Sequence, residues 1–164
     1  MLGSAKTAPM EILLVEDGLT DARMTIFAIR RCGVHHRLTL VRSIADARRF
    51  LRREGIFSLA PTVNLLLLDM MLPDGSGEDL LADFAPERAG DRPFEVPTTV
   101  VLTASDDPEL RKRCTEAGVI DFIRKPVRED EFMRVVRDHK RLMIHTTAAS
   151  PANCESTSLL TITP

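Results

Sequence analysis

Three carboxylates and one ammonium stand where apolar runs stop. "MEILLVEDG" ends on Glu16-Asp17, "NLLLLDMMLPDGSG" sets Asp69 directly after four leucines, and "VIDFIRKP" ends on Lys125. "TTVVLTAS" adds a hydroxyl, Thr103. Burying a charge is costly unless something pairs with it, and three acids placed together repel one another unless a cation sits among them. A hard divalent ion with oxygen ligands, Mg²⁺ with Mn²⁺ as a substitute, is the natural solution. A metal and an ammonium together neutralise an incoming phosphoryl group. A carboxylate can carry that group as an aspartyl-phosphate, so Asp69 is the candidate nucleophile. Thr103 would hydrogen-bond one phosphoryl oxygen and Lys125 would pair with another. Only four of the 22 basic residues are lysines, which makes a lysine at a strand end informative.

Those side chains work together only if the elements carrying them end on one edge. The leucine run of "NLLLLD" reads as a strand buried on both faces, the habit of parallel sheets. "MEILLV", "HRLTLVR", "TTVVLTAS" and "VIDFIRKP" supply four more strands. Between them lie helical stretches. "LTDARMTIFAIRRCG" stops at Gly33, and "SIADARRFLRREG" has Ser43 as N-cap with Asp46 three residues on. "SGEDLLADF" is short, and "DDPELRKRCTEAG" has Asp107 as N-cap before Pro108. "REDEFMRVVRDHKRLMI" is expected to run unbroken, with Phe132, Val135, Val136 and His139 on its inner stripe. Five strands alternating with five helices predict βαβ units, a parallel sheet and right-handed crossovers. Ligands of such a sheet bind beyond the carboxyl ends of the strands. The second strand, ending at Arg42-Ser43, is expected to add nothing there.

The 164 residues suit one domain with a tail: a flexible segment over 1–9, the domain over 10–144 and a disordered tail over 145–164. A formal charge of −2 argues against a surface that coats nucleic acid or membrane. No apolar run is long enough to span a bilayer. The first nine residues have no apolar signal core. Cys32, Cys114 and Cys154 are odd in number and widely spaced. Free thiols in a cytoplasmic protein are the expectation.

"ILLVEDG", "LLLLDMMLPDGSG", "VVLTAS" and "DFIRKP", in that order over Met10–Leu142, resemble the receiver domain of two-component response regulators. The resemblance implies a flavodoxin-like (βα)5 fold with strand order 2-1-3-4-5. It implies that Asp69 accepts a phosphoryl group from a sensor histidine kinase or a histidine phosphotransfer protein. Asp17 would bind Mg²⁺ directly, Glu16 mainly through water, and the Met71 backbone carbonyl would be a further ligand. Thr103 and Phe122 would form the switch pair, and Lys125-Pro126 a cis peptide bond. Phe122 has no hydroxyl, so its switching is a matter of packing. "VED", "FLRREG" and the proline-rich loop before the fourth strand resemble the small regulators paired with bacterial phytochromes. By that likeness a homodimer forms through the face of the fourth helix, fifth strand and fifth helix. No DNA-binding domain and no membrane partner are expected, and no residue is expected to turn over a substrate.

Taken singly, each feature has a plainer reading. An acidic pair can be a solvated strand end, "LPDGSG" a turn, and Thr103 an ordinary strand threonine. His35-His36 are expected in an exposed loop, and the arginine-rich stretches on solvated helix faces. Two other functions use the same elements. A metal-dependent phosphatase with an aspartyl intermediate would want a second acid two residues past Asp69, where Met71 stands. An interaction module that works unphosphorylated has no need of the acid, threonine and lysine together.

Overall fold

The computed structural model describes residues 8–143 and the backbone of residues 160–161. Most of the expected N-terminal segment and the rest of the expected tail, including Cys154, lie outside the described residues. The strands are β1 (Met10–Val15), β2 (His36–Val41), β3 (Leu65–Asp69), β4 (Thr98–Thr103) and β5 (Asp121–Arg124). The helices between and after them are α1 (Leu19–Arg31), α2 (Ile44–Arg52), α3 (Gly77–Leu81), α4 (Pro108–Glu116) and α5 (Glu129–Asp138). All five strands pair in parallel in the order β2-β1-β3-β4-β5, which is the flavodoxin-like order expected. Leu160–Thr161, here β6, adds parallel to Thr39 and Leu40 on the outer edge of β2. The sheet therefore has six strands among the described residues, and the sixth corrects the expectation of a wholly disordered tail at Leu160–Thr161.

The sheet is covered on both faces, as its unbroken apolar runs require. Alternate residues point to opposite sides. Ile12, Leu14, Leu65, Leu67, Val100, Leu102 and Ile123 pack with α1 and α5. Leu13, Val15, Leu66, Leu68 and Val101 pack with α2, α3 and α4. Each fully buried leucine of β3 contributes roughly 1.5–3 kcal/mol relative to an exposed one. This packing fixes where the strands end.

Local chemistry sets most boundaries. Ser43 accepts a hydrogen bond from the Asp46 amide at 3.1 Å and starts α2. Asp107 does the same for the Glu109 amide, ahead of Pro108 at the first helical position. The last helix departs from expectation. It stops at Asp138, because His139 is extended and spends its Nε2 on Asp121 at 3.2 Å, and Lys140–Met143 forms a separate turn. His36 is also not in a loop. It opens β2, is 7% exposed, and its ring Nδ1 lies 2.7 Å from the Val34 carbonyl; only His35 is exposed.

Candidate functional site

Glu16 follows the last residue of β1, Asp69 is the last residue of β3, and Lys125 follows the last residue of β5. Because these strands run parallel within one sheet, their carboxyl ends share an edge. Carboxylate oxygens of Glu16, Asp17 and Asp69 lie within 4.8 Å of one another. Glu16 is 1% exposed and Asp69 is 8% exposed, so neither is a solvated strand end.

The Lys125 ammonium sits among these acids. Its Nζ bonds Asp69 Oδ2 at 3.0 Å, lies against Glu16 Oε2, and bonds Asp21 Oδ2 at 3.1 Å. Burial alone would favour the neutral amine, but the bonds to Glu16, Asp69 and Asp21 outweigh it and hold Lys125 protonated beyond the ordinary lysine range. Burial also pushes the Glu16 carboxyl above its ordinary range. Lys125 and the Gly18 amide, which donates to Oε1 at 2.9 Å, offset this only in part, and the Asp69 charge adds to the rise. Four carboxylates around one ammonium still leave a surplus of negative charge. Glu16, Asp17 and Asp69 together present the oxygen donors a hard divalent cation takes, so the cluster can hold one.

The other predicted residues lie close by without joining that cluster. Thr103 ends β4, where Leu102 pairs with Asp69, but its hydroxyl donates to the Ser105 carbonyl at 2.7 Å and accepts from the Ser105 amide at 3.1 Å. Phe122 is half-buried on β5, with the Arg111 guanidinium 4.6 Å from its ring centroid. Met71 stands in a two-residue strand paired with Ser76, its side chain 82% exposed, and its amide donates to Asp69 Oδ1 at 3.3 Å. The Lys125-Pro126 bond is cis.

The loop after Asp69 is tied down at several points. The Gly77 amide donates to the Met70 carbonyl at 2.9 Å. A Cβ on Gly77 would lie 2.9 Å from the Asp69 carbonyl oxygen and 2.8 Å from Met70 Sδ, so glycine lets α3 start this close to Asp69. Asp74 accepts from the Ile44 and Ala45 amides, both at 2.9 Å, and so caps α2 from outside it. Burial works against the Asp74 charge, but those two amides prevail and hold its carboxyl below the usual range.

Two contributors escaped the sequence. Asp21 lies one turn past Asp17 in α1, where an acid reads as an ordinary partner of the helix dipole. Arg42, discounted at the end of β2, donates from a terminal guanidinium nitrogen to the Asp17 carbonyl at 3.1 Å and ties the loop after β1 to the end of β2. The i, i+4 spacing of Asp17 and Asp21 was the available signal for the first; nothing local marks the second.

Comparisons agree with this geometry. Residues 12–137 match the response regulator receiver domain family. Response regulator Rcp1 of Synechocystis sp. is 30% identical over 102 residues, 62% of this chain and 67% of that protein. Among solved structures, the bacteriophytochrome response regulator RtBRR is 27% identical and superposes with a TM-score of 0.69, over 90% of this chain and 86% of the other. The Mn²⁺-bound form of Rcp1 is 26% identical with a TM-score of 0.64, over 87% of this chain and 99% of the other. Strand order, acidic edge and these matches coincide, and the chain belongs to the response regulator receiver domain family, with phytochrome-associated regulators among its relatives.

Proposed function

We propose that Asp69 accepts a phosphoryl group from the phosphohistidine of a sensor histidine kinase or a histidine phosphotransfer protein. A carboxylate oxygen of Asp69 attacks phosphorus, the P–N bond breaks, and its electron pair returns to the donor imidazole. Lys125 is placed to hold a phosphoryl oxygen, since it already bonds Asp69 at 3.0 Å. Glu16, Asp17, Asp69 and the Met71 carbonyl would hold Mg²⁺, or Mn²⁺ in its place, and the bound ion supplies positive charge to the phosphoryl oxygens. The Mn²⁺-bound relative supports that choice of cation. The single observation that carries the reading is the convergence of three carboxylates within 4.8 Å on one acceptor bonded to a buried lysine.

The donor's identity as a protein is supported by Leu19, Met24 and Phe27, exposed on α1 just past Asp17, and by exposed Met71 beside Asp69. Likeness to bacteriophytochrome response regulators supports a phytochrome kinase as that donor. The signal would leave through Thr103 and Phe122. Thr103 would exchange Ser105 for the phosphoryl group, Phe122 would repack away from Arg111, and the α4-β5-α5 face would change. A modification moves such an equilibrium only by its differential contact with the two states, which here is Thr103 and Lys125 to phosphate. A homodimer through that face, in the cytoplasm, is the proposed output form. No turnover of a separate substrate is proposed, only acceptance and loss of the group by the protein itself.

Intact-protein mass after incubation with acetyl phosphate and Mg²⁺ tests this. One phosphoryl group is expected on the parent, none on Asp69→Asn and none with EDTA, and size-exclusion chromatography of both forms reads dimerisation. Absence of an adduct on the parent would sink the relay and leave an interaction module that works unmodified.

A further inference from the structure

At the opposite edge of the sheet, before β3 and β4 begin, the charges are reversed. Arg52 at the end of α2, Asp83 after α3, and Arg88, Arg92 and Phe94 in the segment before β4 line a half-open cavity of about 190 Å³. Asp83 is buried, and both its oxygens are taken: Arg48 Nε bonds one at 2.7 Å and Arg88 the other at 3.2 Å. It therefore has little left to offer Arg52 or Arg92. Arg92 reaches the Phe84 carbonyl through one terminal nitrogen at 3.1 Å. Its Nε–H is buried and, among the described residues, has no acceptor. A buried donor without an acceptor is costly, and this one belongs to a guanidinium lining a cavity with two others. The Phe94 ring lies under that guanidinium, 5.9 Å from centroid to Cζ, and presents an apolar face beside it.

We infer that this cavity is a binding site for a tetrahedral oxyanion of the phosphate type. Guanidinium groups present forked donors that match such oxygens in pairs, and the cavity is of a size for one such group rather than for a drug-sized ligand. Arg52, Arg88 and Arg92 supply the charge and the guanidinium donors that Asp83 and the Phe84 carbonyl leave unused. Phosphate free in solution and a phosphate ester carried on a planar organic body share this chemistry; Phe94 would stack on the second. The site lies across the sheet from Asp69 and does not depend on phosphoryl transfer there.

Isothermal titration calorimetry of the full chain in EDTA tests it, with inorganic phosphate in one arm and phenyl phosphate in the other. Binding of at least one probe is expected at millimolar concentration. Arg92→Gln and the exposed Arg52→Gln should each weaken it by about tenfold or more, the usual consequence of losing a charge-assisted bond. Circular dichroism and thermal midpoint in phosphate-free buffer confirm that each variant is folded. Tighter binding of phenyl phosphate, with the preference lost in Phe94→Leu, assigns the organic ester; equal binding assigns the free anion. No binding of either probe, or binding unchanged in both arginine variants, overturns the site.

Discussion

The two edges of the sheet are charge-reversed copies of one arrangement. At the carboxyl edge Glu16, Asp21 and Asp69 pair with Lys125, and Asp17 lies beside Glu16 and Asp69. At the amino edge Arg48, Arg52, Arg88 and Arg92 gather about Asp83. In each, one charge of the minority sign is paired within a group of the other, Lys125 with three carboxylates and Asp83 with two guanidiniums. The supports differ. Asp69 ends a strand and Glu16 and Lys125 directly follow strands, all with short connections to a packed core. The arginines reach in from α2 and a long connection, with Arg88 60% and Arg48 39% exposed at the side chain. A rigid, dry cluster makes its electrostatics strong, whereas long solvated side chains gain little from pairing.

Exchanging the central charges should expose that inequality. Lys125→Met leaves Glu16 and Asp69 buried without their cation, and breaking a buried pair typically costs about 3 kcal/mol or more. Urea unfolding in EDTA should show that loss, and millimolar Mg²⁺ should restore much of it by occupying the space among the acids. An unchanged midpoint would mean that the ammonium does not hold the acidic edge together. Asp83→Asn is the matching change at the other edge. Its partners remain in contact with water, so the expected cost is about 1 kcal/mol, further reduced by salt. A loss as large as that of Lys125→Met would show the basic cluster to be as rigid as the acidic one.

The acidic edge was open to the sequence because each of its members ends an apolar run. Four leucines before Asp69 predict the strand, its burial and its exit at once, and the same logic places Glu16 and Lys125. Asp107-Pro108 and Ser43 announce their helices by local bonds, which is why those starts agree with expectation. Contacts made across long sequence separations left no such trace. Lys125 reaches Asp21 over 104 residues and Asp74 caps a helix 30 residues earlier. His139 breaks α5 for a partner on β5, although its spacing fits the helix stripe. The pairing of Leu160–Thr161 with β2 depends on an open sheet edge, which the local sequence of the tail does not reveal. The basic cavity was hidden for a similar reason: its arginines lie on separate elements and read one by one as solvated.

The smallest expected effect compares a titrating group at each edge. His36 opens β2 at the amino edge, and burial holds its imidazole below the ordinary value, helped by the nearby Arg30 and His35 charges and opposed by the bond to Val34. The unfolded chain therefore takes up a proton near pH ~6.5 that the folded chain refuses. The stability His36 contributes is present above that pH and lost as pH falls toward the folded value. Glu16 behaves in the opposite sense. Its folded value is raised, so without metal the folded chain binds the proton first, and stability from this group grows as pH falls through that value and declines as pH rises. Urea unfolding from neutral to mildly acidic pH in EDTA separates the two. His36→Leu should fall less steeply than the parent, whatever its absolute stability, because the proton uptake of the unfolded chain is gone. Glu16→Gln should fall more steeply, because the compensating uptake of the folded chain is gone. Slopes that match the parent in both variants would place the acid sensitivity elsewhere; slopes that change in the same direction would mean that one of the two edges has been assigned the wrong sign.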